Sequence, residues 1–572
     1  MRAILYFMMA FPFTASAYAQ TADLVLLNGN VITLAKSAKK ISAVAVAHDR
    51  IIATGTDSEM RKLVDAHTRV IDLGGKTMTP GLTDSHLHMV RLGQSLYRPN
   101  FRTATSEENA VAILREKLPT IRQEQWILGR GWDQNKWPGQ EFPGAKSLDQ
   151  LKESRPIVLR RVDGHVVWVN TKAMQVAGIN DSTPDPAGGK IVRDSQGHAT
   201  GIFIDQAMEL IEKHIPDQSD AEIEIALNQS FQEVLRYGLT TVHDADMDRD
   251  TYRVLQKVAQ KGQLPVRVYA LAHANNKIGK LDSDEQKFVA ELLKSGPQIE
   301  TYNKFLTLRG FKLFADGALG SRGALLSHPY EDDAQNVGLI QFTKQELIDF
   351  ATKATQAGFQ VATHAIGDAA NHTVLDAFEE VFKKYPTKTS PRFRIEHAQI
   401  LQAKDIPRFA KLGVIPSMQT THCTSDMAWV HSRIGERRAK EGAYAWQALL
   451  KSGAKIANGS DAPVESANPM LGLYSAITRK DLNGQPLKGW HSENKMTRVQ
   501  ALKSFTIDAA YAAFEEDFKG SIEVGKLADF TVLSSDILKV PEGKIPSVRA
   551  EMTIVGGKVA YDLNHPVLQQ AQ

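Results

Sequence analysis

"TPGLTDSHLHM", Thr79 to Met89, sets an apolar run behind a Pro-Gly turn and ends with two histidines one residue apart. Residues i and i+2 of a strand share a face, so His86 and His88 point the same way if the segment is extended. Taken alone, the pair reads equally well as two metal ligands or as two half-buried polar residues closing a strand. The decision rests on whether other strands end in the same manner.

Seven further segments read as strands: "LTTVHDAD", "PVRVYALAHA", "LRGFKLFADG", "FQVATHAIGD", "PRFRIEHAQ", "GVIPSMQTTH" and "KIANGSDAPV". The fifth strand candidate lies between two amphipathic stretches. "QELIDFATKATQAG" before it carries Leu347, Ile348, Phe350, Ala351 and Ala354 near one helical stripe, and "LDAFEEVFKKY" follows it. Strand and helix in alternation predict an α/β protein with a parallel sheet, and eight strands close a TIM-type (β/α)8 barrel. Five of the seven end in polar or ionisable residues: His243 with Asp244, Lys312 with Asp316, His364, His397 and Asp461. Core or surface histidines would not recur at strand ends in this way. Convergence on one barrel mouth, where such folds carry their chemistry, accounts for the pattern.

About 150 residues separate the first and second strand candidates, too many for a βα connection, which predicts an inserted subdomain over roughly 91–229. Near the chain ends, "ADLVLLNGNVITL", "ISAVAVAHDRIIATG", "GSIEVGKLADFTVLSS" and "EMTIVGGKVAYD" read as short antiparallel strands, the last with a Gly-Gly hairpin turn. Composition leaves open whether the two ends pair.

A chain of 572 residues with 42% hydrophobic and 23% charged residues is that of a soluble globular protein with a sizeable core. Its net charge of +3, without a basic block, argues against a nucleic-acid partner. The opening "MRAILYFMMAFPFTASAYAQ" has Arg2, an apolar run and a small-x-small site at Ala17-Tyr18-Ala19. It is read as an export signal over 1–19, which makes the mature protein periplasmic or secreted. The apolar run falls short of the roughly 20 residues a membrane span needs, so no membrane partner is expected after its removal. Cys423 is the sole cysteine, and the fold is expected to hold without disulfides.

In order along the chain, "DSHLH", "FKLFADGALGSR", "THAIGDAA", "RIEHAQ" and "GSDAPV" resemble the amidohydrolase superfamily. More narrowly, the chain resembles its amidohydrolase-3 branch of YtcJ-like and N-substituted formamide deformylase-like proteins, from about Ala22 to Asp562. The resemblance implies a barrel over 79–515 beside a small β-sandwich built from 20–78 and 516–563, with a tail at 564–572. It implies two divalent ions, with zinc the expected metal. His86, His88 and Asp461 would hold the first, and His364 and His397 the second. Lys312 would bridge them as a carbamate formed with carbon dioxide, because an ammonium has no lone pair to offer.

The implied reaction is hydrolysis of a non-peptide amide or other C–N bond of a small molecule by a hydroxide shared between the ions. Asp461 would act as general base and then general acid, and Lys312 is the other catalytic candidate. Substrate contacts are sought at His165, His243, Trp132, Asp316 and Arg322, with Trp137 and Ser321 beside them. Each has a structural reading too: Lys312 paired with Asp316, Asp461 capping a helix, the tryptophans as packing anchors. His422 beside Cys423 is rejected as a nucleophile pair, since neighbours on a strand face opposite ways.

A single-metal deaminase, a relative of the same superfamily, is disfavoured because such enzymes carry a glutamate where this chain has Gly367. Two alternatives stay open: a binuclear hydrolase of an ester, lactone or cyclic imide, and a non-catalytic exported binding or regulatory protein. A homodimer is left open as well.

Overall fold

The computed structural model describes residues 21–36, 40–121, 125–274, 283–386 and 390–565. The segment read as an export signal and residues 566–572 of the expected tail lie outside the described residues.

Eight parallel strands form the barrel: β1 (Leu82–Leu87), β2 (Leu239–Met247), β3 (Arg267–His273), β4 (Leu306–Phe314), β5 (Gln360–Ala365), β6 (Arg394–His397), β7 (Ile415–Met418) and β8 (Ala457–Asn458). Each is hydrogen-bonded to its neighbour in chain order. The ring closes just beyond β8, where Ala462 bridges Leu87. There the Asp461 amide donates to the His86 carbonyl at 2.6 Å and the His88 amide to the Ala462 carbonyl at 2.8 Å. The expected barrel is therefore observed, nearly closed. Its strands are buried on both faces because helices cover the outside, as a parallel sheet requires.

The helix Lys344–Gln356 before β5 shows how local sequence sets these layers. Thr343 and Glu346 form a reciprocal capping box at its start, and Leu347, Ile348, Ala351 and Ala354 are buried. Phe350, at the edge of that stripe, is half-buried and meets Phe311 of β4 edge-on at 5.3 Å.

Both chain ends contribute to one sandwich. One sheet joins Asn30–Val31 and Thr77–Pro80 to Phe530–Leu533, Ala550–Val555 and Lys558–Asp562. The other orders Arg50–Gly55, Ala43–Ala47, Leu24–Leu27 and Arg69–Asp72. Leu24, Leu26, Val44, Val46, Met78, Phe530, Val532 and Ile554 fill the space between them. Alternation leaves Thr531 facing the barrel, where its hydroxyl donates to the Gly238 carbonyl at 2.6 Å. Gly556 and Gly557, at φ 55° and 75°, make the hairpin turn that needs two left-handed residues.

Between β1 and β2 a five-stranded sheet orders Gly189–Arg193, Ala199–Asp205, Val166–Val169, Ile157–Arg161 and Ile127–Trp132. Its strands alternate, so Trp132, Leu159, Trp168 and Ile202 pack on one face, and Val158, Val167, Ile191 and Phe203 on the other. This insertion stands over the barrel mouth and walls the cavity described next.

Candidate metal centre

His86, in β1, is fully buried, and its Nδ1 lies 2.5 Å from Oε2 of Glu396 in β6. Arg394, two residues earlier on the same strand face, donates to Glu396 Oε1 at 2.7 Å and Oε2 at 3.1 Å. Its other donors reach the Ser85 carbonyl at 2.7 Å, Ser417 Oγ at 2.8 Å and His243 Nδ1 at 3.1 Å. Burial opposes the Glu396 charge, but Arg394 and His86 outweigh it and hold the carboxyl well below the usual range. An ionised Glu396 accepts a hydrogen bond from His86 Nδ1–H, which keeps the proton on that nitrogen and leaves the Nε2 lone pair directed into the barrel. That Nε2 is buried, has no hydrogen-bond partner among the described residues, and lies 3.6 Å from Asp461 Oδ1.

Three more histidines belong to the same cluster. His88, just past β1, brings its Nε2 to 3.2 Å from the same Asp461 oxygen. The His397 ring lies 4.9 Å from that of His86 and 4.6 Å from that of His364 at the end of β5. Gln419 Oε1 accepts from His397 Nδ1 at 2.7 Å, and the Gln419 amide nitrogen is tied to the Ser417 carbonyl at 3.2 Å. The other His397 nitrogen is thereby freed. One ligand atom each from His86, His397 and Asp461 falls within 4.8 Å of the other two. His397 and Asp461 have φ of 74° and 57°, left-handed values that cost on the order of 1 kcal/mol or more each. At His397 the turn breaks strand alternation, so that Glu396 and His397 both face the interior.

Lys312, in β4, is 1% exposed. Its ammonium sits 4.3 Å from the Phe314 ring centre and pairs with no carboxylate among the described residues. Lys312, His88, His364, His397 and Asp461 line a cavity of about 230 Å³. Burial lowers the pKa of Lys312 and of all four histidines, His88 to about 4, which favours neutral nitrogen donors. Burial also opposes the Asp461 charge, yet the His88 bond and the neighbouring His86 and His397 rings hold the carboxyl well below its usual range. Neutral imidazoles, one carboxylate and an orphaned, buried His86 nitrogen fit a divalent ion.

The other candidates separate. His165, from the insertion, reaches the cavity: its Nδ1 bonds Asp205 Oδ1 at 2.7 Å and its ring lies 4.9 Å from that of His364. Asp316 accepts the Leu325, Ile366 and Gly367 amides at 2.8–3.0 Å and lies 3.4 Å from His364 Nε2, which also contacts the Gly317 carbonyl at 3.2 Å. Asp316 thus braces the loop after β4, and the reading that paired it with Lys312 is not what forms.

His243 is buried behind the centre, between Arg394 and Tyr269, and does not line the cavity. Trp132 is held in the insertion core by Trp137, Trp168 and Phe142, with its indole N–H on the Leu159 carbonyl at 2.7 Å. Its position on the strand turns it toward the insertion's own core and away from the cavity. Arg322 forks onto Asp332 at 3.1–3.2 Å, outside the cavity.

The rejection of His422 and Cys423 as a nucleophile pair stands, but strand alternation is not its reason. β7 ends at Met418, and Thr420–Asp426 is a helix. His422 stacks on His397 at 5.8 Å, and its buried Nε2 lies 3.7 Å from Asp461 Oδ2. It belongs to the site. Cys423 is buried on that helix, where desolvation pushes its thiol up to about 12, and it is no nucleophile.

Glu396 and Arg394 were also passed over. Charges alternating in an otherwise buried strand, "RFRIEH", were their signal. Gln419 carried no signal, since its role depends on which strand lies beside it. At Gly367 a side chain would meet the Leu325 carbonyl oxygen at 1.9 Å, so the backbone there has no room for a glutamate.

Residues 69–561 match the model of the amidohydrolase family, Amidohydro_3. YtcJ of Bacillus subtilis is 34% identical over 463 residues, covering 80% of this chain and 84% of that protein. N-substituted formamide deformylase of Arthrobacter pascens is 26% identical over 557 residues, 95% of this chain and 99% of its own. The crystal structure of an uncharacterized metal-dependent hydrolase from Pyrococcus horikoshii superposes with a TM-score of 0.72 at 29% identity, covering 91% of this chain and 99% of that one. With the barrel, the buried donors and this extent of match together, the chain belongs to the amidohydrolase family and is a metal-dependent hydrolase.

Proposed function

We propose that this protein is an exported hydrolase of non-peptide amides or related C–N bonds in small molecules. Two zinc-like ions would be held by His86, His88, His364, His397 and Asp461, with Lys312 as a carbamate between them. The observation that carries the reading is the Asp461 carboxylate standing 3.2–3.6 Å from two histidine nitrogens, one of them buried without a hydrogen-bond partner among the described residues. Divalent ions, when bound, polarise a carbonyl and make a bound water acidic.

The chain's own groups do the rest. Asp461, kept ionised by its histidine neighbours, takes a proton from the attacking water and returns it to the leaving nitrogen as the C–N bond breaks. Glu396 and Gln419 hold the His86 and His397 rings in one tautomer and one orientation. Burial favours the neutral Lys312 amine, the form that adds to carbon dioxide. Export rests on the pattern of residues 1–19 alone.

The test joins metal analysis of the purified protein with a panel of N-formyl, N-acyl and cyclic amides, esters and lactones. N-formyl compounds come first because one relative is named a formamide deformylase. About two ions per chain and turnover of amides ahead of esters support the reading. A native protein free of metal, or one that cleaves only esters or lactones, overturns it.

A further inference from the structure

The insertion brings to the cavity a charge that the donor set does not use. Arg130, on the strand Ile127–Trp132, lines the cavity beside His88, Lys312 and Asp461. Its guanidinium donates to the Val162 carbonyl at 3.0 Å and closely to the carbonyl of Pro463, two residues beyond Asp461. Two backbone acceptors fix the plane of the guanidinium but leave donors unused.

The three arginines whose charges press on it each have a carboxylate. Arg91 lies 3.3 Å from Asp246, Arg102 lies 3.6 Å from Glu465, and Arg160 is in close contact with Glu212. Arg130 pairs with none among the described residues. The carboxylates of the same wall are already matched: Asp163 by Arg161, Asp205 by His165, and Asp246 by His273 as well as Arg91. Glu209 is driven toward its neutral form by burial and then by Glu212. Burial, followed by the charges of Arg102, Arg160 and Arg91, disfavours the Arg130 cation. A guanidinium keeps its proton under such pressure, so the charge is left to be met by something that enters the cavity.

We propose that Arg130 is an anion subsite, and that the amide hydrolysed here bears a carboxylate, received by the planar guanidinium fork while the amide lies against the donor cluster. This rests on the amide-hydrolase reading above. A fork matches a carboxylate geometrically, and such charge-assisted contacts are the strong ones.

The test pairs N-acyl amino acids with their uncharged carboxamides on the holoenzyme, in the native protein, Arg130→Gln and Arg130→Lys. The native protein is expected to favour the acid through KM. Arg130→Gln should lower kcat/KM for the acid roughly tenfold to hundredfold more than for the carboxamide, the size of one charge-assisted contact. Arg130→Lys should recover part of that preference.

Non-hydrolysable N-alkyl amino acids, titrated by calorimetry against the same proteins, give a readout independent of turnover. Arg130-dependent binding with no amide turned over supports the subsite and counts against the reading beneath it. Equal losses on acid and carboxamide, with binding of the N-alkyl acids unchanged in Arg130→Gln, would make Arg130 a latch between insertion and barrel and overturn the proposal.

Discussion

Glu396→Gln tests the claim that a buried carboxylate sets the donor atom of His86. In the native protein the two oxygens of Glu396 serve two masters, accepting from Arg394 at 2.7 and 3.1 Å and from His86 Nδ1 at 2.5 Å. An amide has one oxygen. If it stays on Arg394, its NH2 faces His86 Nδ1, which must then become the lone-pair nitrogen and move the proton to Nε2, the wrong tautomer for a ligand. If it turns to His86, Arg394 loses its counter-charge in a site where both side chains are 0% exposed.

Loss of one partner of a buried ion pair costs about 3–5 kcal/mol, and loss of a carboxylate behind a ligand histidine costs about 10–100-fold in metal affinity. We expect both from Glu396→Gln, read by denaturant unfolding and by zinc titration against a competing chelator. Adding Arg394→Met removes the stranded charge, so stability should partly return while affinity does not. A Glu396→Gln protein with native affinity and a native unfolding midpoint would refute the reasoning.

Lys312→Ala should reduce bound metal to about one ion per chain, measured by elemental analysis; unchanged content would remove the lysine from the centre. Asp426 is pushed up to about 7 by burial, above its unfolded value. The sign follows: its contribution to stability is complete below about pH 4 and is lost as pH rises through 7. Asp426→Asn should therefore flatten the fall in unfolding free energy between those limits, a difference of a few kcal/mol, about 1.4 kcal/mol per unit. Gly367→Ala should destabilise by about 1–3 kcal/mol without altering reaction type, since its methyl meets the Leu325 carbonyl; a thermal midpoint equal to the native one would contradict this.

Local periodicity is a short-range property, and what depends on it was legible in the chain: eight strand segments, the helical stripe before β5, the paired histidines of "DSHLH", and the gap that holds the insertion. The identity of groups that meet across strands is not local. Tertiary structure alone placed Glu396 behind His86, Gln419 behind His397 and Arg130 at the cavity wall. It turned Trp132 into the insertion's core, withdrew His243 behind Arg394, and began a helix at Thr420 that stacks His422 on His397. A left-handed turn at His397 let consecutive residues face the same interior, against the alternation by which a strand is read. Period and composition describe one segment at a time, whereas a site of this kind is set by the register between segments, which only the closed barrel supplies.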